Sequence, residues 1–162
     1  MGKPIKLTEE KLREIVRTTL NEMAYERGEI VDEIRFKTTE IIRNFVLVVY
    51  ARKHNLLTIE HWRGELLTYI TDIQDMDTKP KSGNRKMVRE ALQEQWVEKM
   101  ELDTHPDKII HKYIAKFKTE NLHPTEEEHI ELTKAFIDNM GRLMDEMAYG
   151  NSQTALQFVN SI

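Results

Sequence analysis

The sequence predicts an all-α protein: a bundle of about six helices packed around one apolar helix at residues 29–54. Three observations point there. Only six glycines and four prolines punctuate 162 residues. Apolar residues recur at three- and four-residue steps through most segments, the period of a helix buried along one stripe. Helix-start signals stand at the heads of those segments, most clearly Thr125-Glu126-Glu127-Glu128.

The first helix is expected from Thr8 to about Arg27. Leu12, Ile15, Val16, Leu20 and Met23 make one stripe, Thr8 is a suitable N-cap, and Gly28 is read as the stop. The second is expected from Glu29 to His54. Around Phe45–Tyr50 it is apolar on nearly every side, which suits a helix surrounded by others. Its β-branched residues favour a strand, but the helical period from Glu29 to Arg43 favours continuing the helix.

Thr58 should cap a third helix, 59–73, with Trp62, Leu66, Tyr69, Ile70 and Ile73 on one side. Residues 75–84, rich in Asp, Lys, Pro, Ser and Gly, read as a flexible loop. A fourth helix should follow to about Leu102, with Val88, Leu92, Trp96 and Met100 in step. Pro106 suits the first turn of a fifth, ending near Lys118. The sixth should run from Glu126 to a stop at Gly150, its stripe made of Ile130, Ile137, Met140, Met144 and Met147, with Phe136 and Leu143 alongside. The tail 151–162, weakly amphipathic through Leu156 and Val159, reads as a short seventh helix or a flexible end. All of this forms one domain, 1–162.

Composition excludes several functions. With 40% apolar and 32% charged residues the chain is globular in character. It has no cysteine, so thiolate metal sites, disulfides and cysteine nucleophiles are out. That suits a reducing compartment, and a cytoplasmic location is the expectation. The longest apolar run, Phe45 to Ala51, is far too short to cross a bilayer. The three serines, Ser82, Ser152 and Ser161, lie in the loop or the tail, and none sits in a nucleophile elbow. No glycine-rich phosphate loop occurs. The expectation is therefore a non-enzyme with no cofactor.

Charge is distributed unevenly within a net −4. The segment 119–147 holds eight acids against Lys134 and Arg142, whereas Lys79 to Arg89 holds no acid at all. In that stretch Lys79, Lys81, Arg85, Lys86 and Arg89 form a candidate nucleic-acid contact, with charge placed near a helix N-terminus. No aromatic residue interleaves with these bases, so stacking on single strands is not indicated. A weaker candidate is a carboxylate–histidine metal site of Asp107, His111, Glu126 and His129. Glu120-x-x-His123 and Glu126-x-x-His129 carry di-iron spacing, but Pro124 separates them and they cannot face each other across a bundle. A polar helix corner explains the same residues without metal.

What remains is a helical protein-interaction or assembly module: an adaptor, an inhibitor or immunity-type protein, or a phage or mobile-element component. It would act on a protein partner or on itself. The discriminating feature is apolar stripe beyond what one bundle can bury, on the first helix or on the acidic last one.

Overall fold

The structure, a computed structural model, describes residues 8–78, 88, 90–94 and 107–162, with the backbone alone at 18–27 and 77–78. Five long helices stand among the described residues: α1 Glu9–His54, α2 Ile59–Thr78, α3 Asp107–Thr119, α4 Glu126–Tyr149 and α5 Ser152–Ser161. Residues 90–94 are also helical, and Val88, Ala91 and Leu92 are buried. The fold is all-α, as the periodicity predicts. Trp96, Met100 and Pro106 lie outside the described residues.

The first two expected helices are one. α1 runs for 46 residues, about 69 Å at 1.5 Å per residue, straight through Gly28. A glycine stop needs the left-handed backbone, and Gly28 stays helical instead. A mid-helix glycine costs only about 1 kcal/mol relative to alanine. No proline follows it, and no Ser, Thr, Asp or Asn stands at 29–31 to cap a new helix. The real stop is Asn55, left-handed at φ 53°, where Leu56 N–H donates to Ala51 O at 2.9 Å. α3 ends in the same way: Asn121 has φ 56°, and Leu122 N–H donates to Phe117 O at 2.8 Å.

From Ile41 to Ala51 every residue of α1 except Arg43 and Val49 is buried. α1 packs against α2, α3 and α4. α2 returns antiparallel after the tight turn at 55–58, joined by Lys37 Nζ to Asp72 Oδ2 at 3.2 Å. α4 is also antiparallel to α1, with Phe45 edge-on to Phe136 at 5.9 Å between centroids. α3 runs parallel to α1: Arg43 Nε donates to Lys112 O at 2.9 Å and Tyr50 meets Phe117 edge-on. Trp62 is buried, as its place on the apolar side of α2 predicts.

One boundary differs from expectation. α2 continues to Thr78, so the first four residues of the expected loop are helical; Gln74 and Met76 are buried and draw that last turn into the bundle. The residues expected to complete that loop, 79–84, lie outside the described ones. Of the two states expected for the tail, it takes the short helix. Asn151 Oδ1 caps α5 by accepting from Gln153 N–H and Thr154 N–H, both at 3.0 Å, and Ala155, Phe158 and Val159 are buried. Leu156, expected on the apolar side, is exposed. On α4 Met140 and Met147, with Phe136 and Leu143 alongside, are buried as expected and Leu132 joins them, while Ile130 is exposed and Ile137 and Met144 are half-buried.

The α4–α5 corner depends on the smallest side chain. Gly150 N–H and Gln74 Nε2 both donate to Glu146 O, at 3.0 and 2.9 Å, and Thr154 Oγ1 donates to Glu146 Oε1 at 2.6 Å. A Cβ on Gly150 would sit 2.6 Å from Glu146 O and 2.8 Å from Gln74 Nε2. The two glycines therefore respond oppositely to alanine. Gly28→Ala, where an added Cβ meets nothing within 4 Å, should stabilise by about 1 kcal/mol. Gly150→Ala should destabilise by about 1–3 kcal/mol through crowding. Urea unfolding of both variants measures this, and equal midpoints would contradict it.

Candidate interaction surface

The part of α1 before the bundle is its most unusual feature. Every residue from Glu9 to Arg17 is exposed. Among them Leu12 and Val16 show 52% and 51% of their surfaces, with Ile15 alongside. Val16 and Ile34 are 18 residues apart, about five turns at 3.6 residues per turn, so they share one face. Leu12 and Val48 are 36 residues apart, about ten turns, and share it too. Ile34 and Val48 are wholly buried. The face that α1 buries inside the bundle thus continues into solvent beyond it. α1 opens with Thr8 Oγ1 accepting from Lys11 N–H at 3.2 Å, with Glu9 and Glu10 favourable in the first turn.

The opposite end of α1 is fixed electrostatically. Arg52, Lys53 and His54 sit at its negative C-terminal end, and Glu126, Glu127 and Glu128 sit at the positive N-terminal end of α4. His54 Nε2 lies 2.6 Å from Glu128 Oε2, and Lys53 Nζ lies 2.7 Å from Glu131 Oε2. Glu128 also closes the capping box with Thr125, the start that the sequence signals most clearly. The His54 hydrogen bond foremost holds the Glu128 carboxyl below its ordinary value; desolvation opposes this, and the Thr125 amide and Lys53 add to it.

Behind this junction lies a polar contact between α3 and α4. Tyr113 is wholly buried, and its hydroxyl lies 2.8 Å from His129 Nδ1. Burial pushes the phenol up to about 12, and the neighbouring Thr133 hydroxyl offsets part of that rise. Thr133 Oγ1 makes no hydrogen bond of good geometry itself, so the phenol's partner is His129. One hydrogen bond joins the phenol oxygen and His129 Nδ1, its direction set by the imidazole tautomer.

The residues of the expected metal site are therefore distributed as follows. Asp107 and His111 are exposed on α3, Glu126 is exposed in the first turn of α4, and His129 is half-buried with Nδ1 engaged by Tyr113. Among the described residues no group of three or more His, Asp or Glu side chains could hold a metal ion. Lys79, Lys81, Arg85, Lys86 and Arg89 all lie outside the described residues. Among the described residues no helix is long and apolar enough to cross a membrane. No protein-family model, curated protein or solved structure matches the chain.

Two pH effects follow. Glu128, held low in the fold, contributes stability that is complete above its ordinary value of 4.5 and is lost as pH falls through the lowered value. Glu128→Gln should lower stability at neutral pH and flatten the acid limb of a urea-midpoint profile. An unchanged acid limb would contradict this. Tyr113, held high, contributes stability that is complete below the ordinary value of 10.0 and is lost as pH rises towards about 12. Of five tyrosines, Tyr50 and Tyr69 are also raised, but Tyr113, pushed up to about 12, should titrate last in ultraviolet absorbance, and Tyr113→Phe should remove that last step.

Proposed function

We propose that this chain is a non-enzymatic helical interaction module that assembles through the exposed face of α1. The observation that carries this is the phase relation between Leu12 and Val16 outside the bundle and Ile34 and Val48 inside it. A face suited to burial is presented to water over the first two turns of the helix. Burying one Leu or Val side chain is worth roughly 1.5–3 kcal/mol, so the favourable outcome for these residues is a second surface. The occupant is another helix with an apolar stripe, and a second copy of this chain is the first one to test. Around the stripe Glu9, Glu10 and Glu14 balance Lys11, Arg13 and Arg17, so net repulsion does not oppose such pairing. The apolar residues give the attraction, and salt should matter little.

The test is size exclusion with light scattering at low and high salt. The wild-type chain should run heavier than its 19.2 kDa monomer at both. Leu12→Gln with Val16→Gln keeps good helix formers and should return it to the monomer mass without loss of helix content. A wild-type monomer at every concentration would overturn assembly through this face.

A further inference from the structure

A second surface lies about 30 Å along α1 from Val16 and on a different side of the helix. There Phe36 is 58% exposed and meets the half-buried Tyr69 of α2 edge-to-face, with centroids 6.3 Å apart and planes at 79°. Acidic side chains surround the pair. Glu33 and Glu40 stand on α1 one turn either side of Phe36, and Glu65 and Asp72 stand on α2 one turn either side of Tyr69. Two cations are already committed here. Lys37 is tied to Glu33 at 3.0 Å and Asp72 at 3.2 Å, and Arg43 is tied to Glu40 at 2.6 Å. Four carboxylates against two cations leave an excess of two negative charges, and counting Asp32 and Arg35 leaves it unchanged.

We propose that the Phe36–Tyr69 ridge is a docking site for a basic protein segment, with an arginine or lysine of the partner seated on the Phe36 ring among Glu40, Glu65 and Asp72. Three arguments support this. An aromatic face attracts a cation through its quadrupole, and a guanidinium both stacks on a ring and pairs with a carboxylate beside it. The excess charge around the ring is of the sign that such a partner requires. The acids also act on the aromatic pair itself: burial first, and then the charges of Glu40, Glu65 and Asp72, raise the Tyr69 phenol above its ordinary value. Packing alone does not account for the ring. Leu67 and Tyr69 are partly buried against the core, whereas Phe36 stands outside it, where a smaller or polar residue would leave the core untouched. This site shares no residue with the Leu12–Val16 face, so either reading can fail alone.

The probe is a dye-labelled nona-arginine peptide titrated with the full chain at about 0.15 M salt, where the Debye length is about 8 Å, and followed by fluorescence anisotropy. The wild-type protein should bind it, and nona-glutamate should not bind. Phe36→Leu keeps the apolar bulk but removes the π face, and should weaken binding about three- to fivefold. Phe36→Trp should bind at least as tightly as wild type, because indole is the better cation acceptor. Glu65→Gln should weaken binding about two- to fivefold, the range for a single exposed charge contact. The double variant Glu126→Gln, Glu127→Gln removes two charges at the far end of α4 and should leave affinity within about twofold, since exposed charges beyond a Debye length are screened. Thermal unfolding of each variant shows that it remains folded. No measurable binding, or wild-type affinity in Phe36→Leu, would overturn the proposal. Equal losses in Glu65→Gln and in the α4 double variant would also overturn it, because binding would then follow overall charge and not this site.

Discussion

The stretch of α1 from Ile41 to Ala51 sets the terms for the rest of the molecule. Ile41, Ile42, Phe45, Val46, Leu47 and Val48 have no exposed surface at all. A helix with apolar residues on this many sides cannot remain in water, so it must be enclosed from several directions. α2, α3 and α4 each meet it. Polar groups on and just before this segment find partners: Thr38 Oγ1 donates to Ile34 O and Asn44 Nδ2 to Glu40 O within α1, and Arg43 Nε donates to Lys112 O of α3. Burial without hydrogen-bonded polar atoms would cost more than it returns, and these bonds avoid that.

Around this helix the chain reverses direction at short, well-defined corners. Asn55 and Asn121 take the left-handed conformation that asparagine tolerates better than most residues. Thr125 and Asn151 open the following helices through reciprocal capping boxes. The corner at Gly150 works differently. Its φ of −76° is open to any residue, and only the closeness of Glu146 and Gln74 demands glycine. Helix ends and core packing thus meet in the same few residues.

These differences mark what one-dimensional reasoning captures. Capping at Thr125 was legible because a side chain and a residue three positions on satisfy each other locally. The burial of Trp62 was legible from periodicity, and the helical state of 44–50 only by continuation of the period that Glu29 to Arg43 carry. The stop at Gly28 was misread because glycine alone weighs little without a following cap or a left-handed turn. On α4 the period finds Met140 and Met147, with Phe136 and Leu143 beside them, on the buried side, but overextends the stripe to Ile130, Ile137 and Met144, which lie at its edge or in solvent. Strand-like or apolar content cannot choose between two adjacent stripes; the neighbouring helices do. The exposed Leu12–Val16 face is legible as a stripe, but only the fold shows that the bundle does not reach it. Phe36 carried no signal, because its meaning comes from Tyr69, 33 residues away in sequence and 6.3 Å between ring centroids.

The continuity of α1 has an evolutionary consequence. Leu12 and Val16 share a direction with Ile34 and Val48 only because an unbroken spiral counts the residues between them. Inserting or deleting one residue anywhere from 18 to 27 would swing the outer face by about 100° around the axis without displacing Ile30, Val31 and the core residues beyond them. Changes of seven, eleven or eighteen residues would restore its bearing to within about 20°. Lineages of this protein can thus lengthen or shorten the outer segment in such whole-turn increments without losing its aim, whereas a single-codon slip there would turn it aside in a chain that still folds.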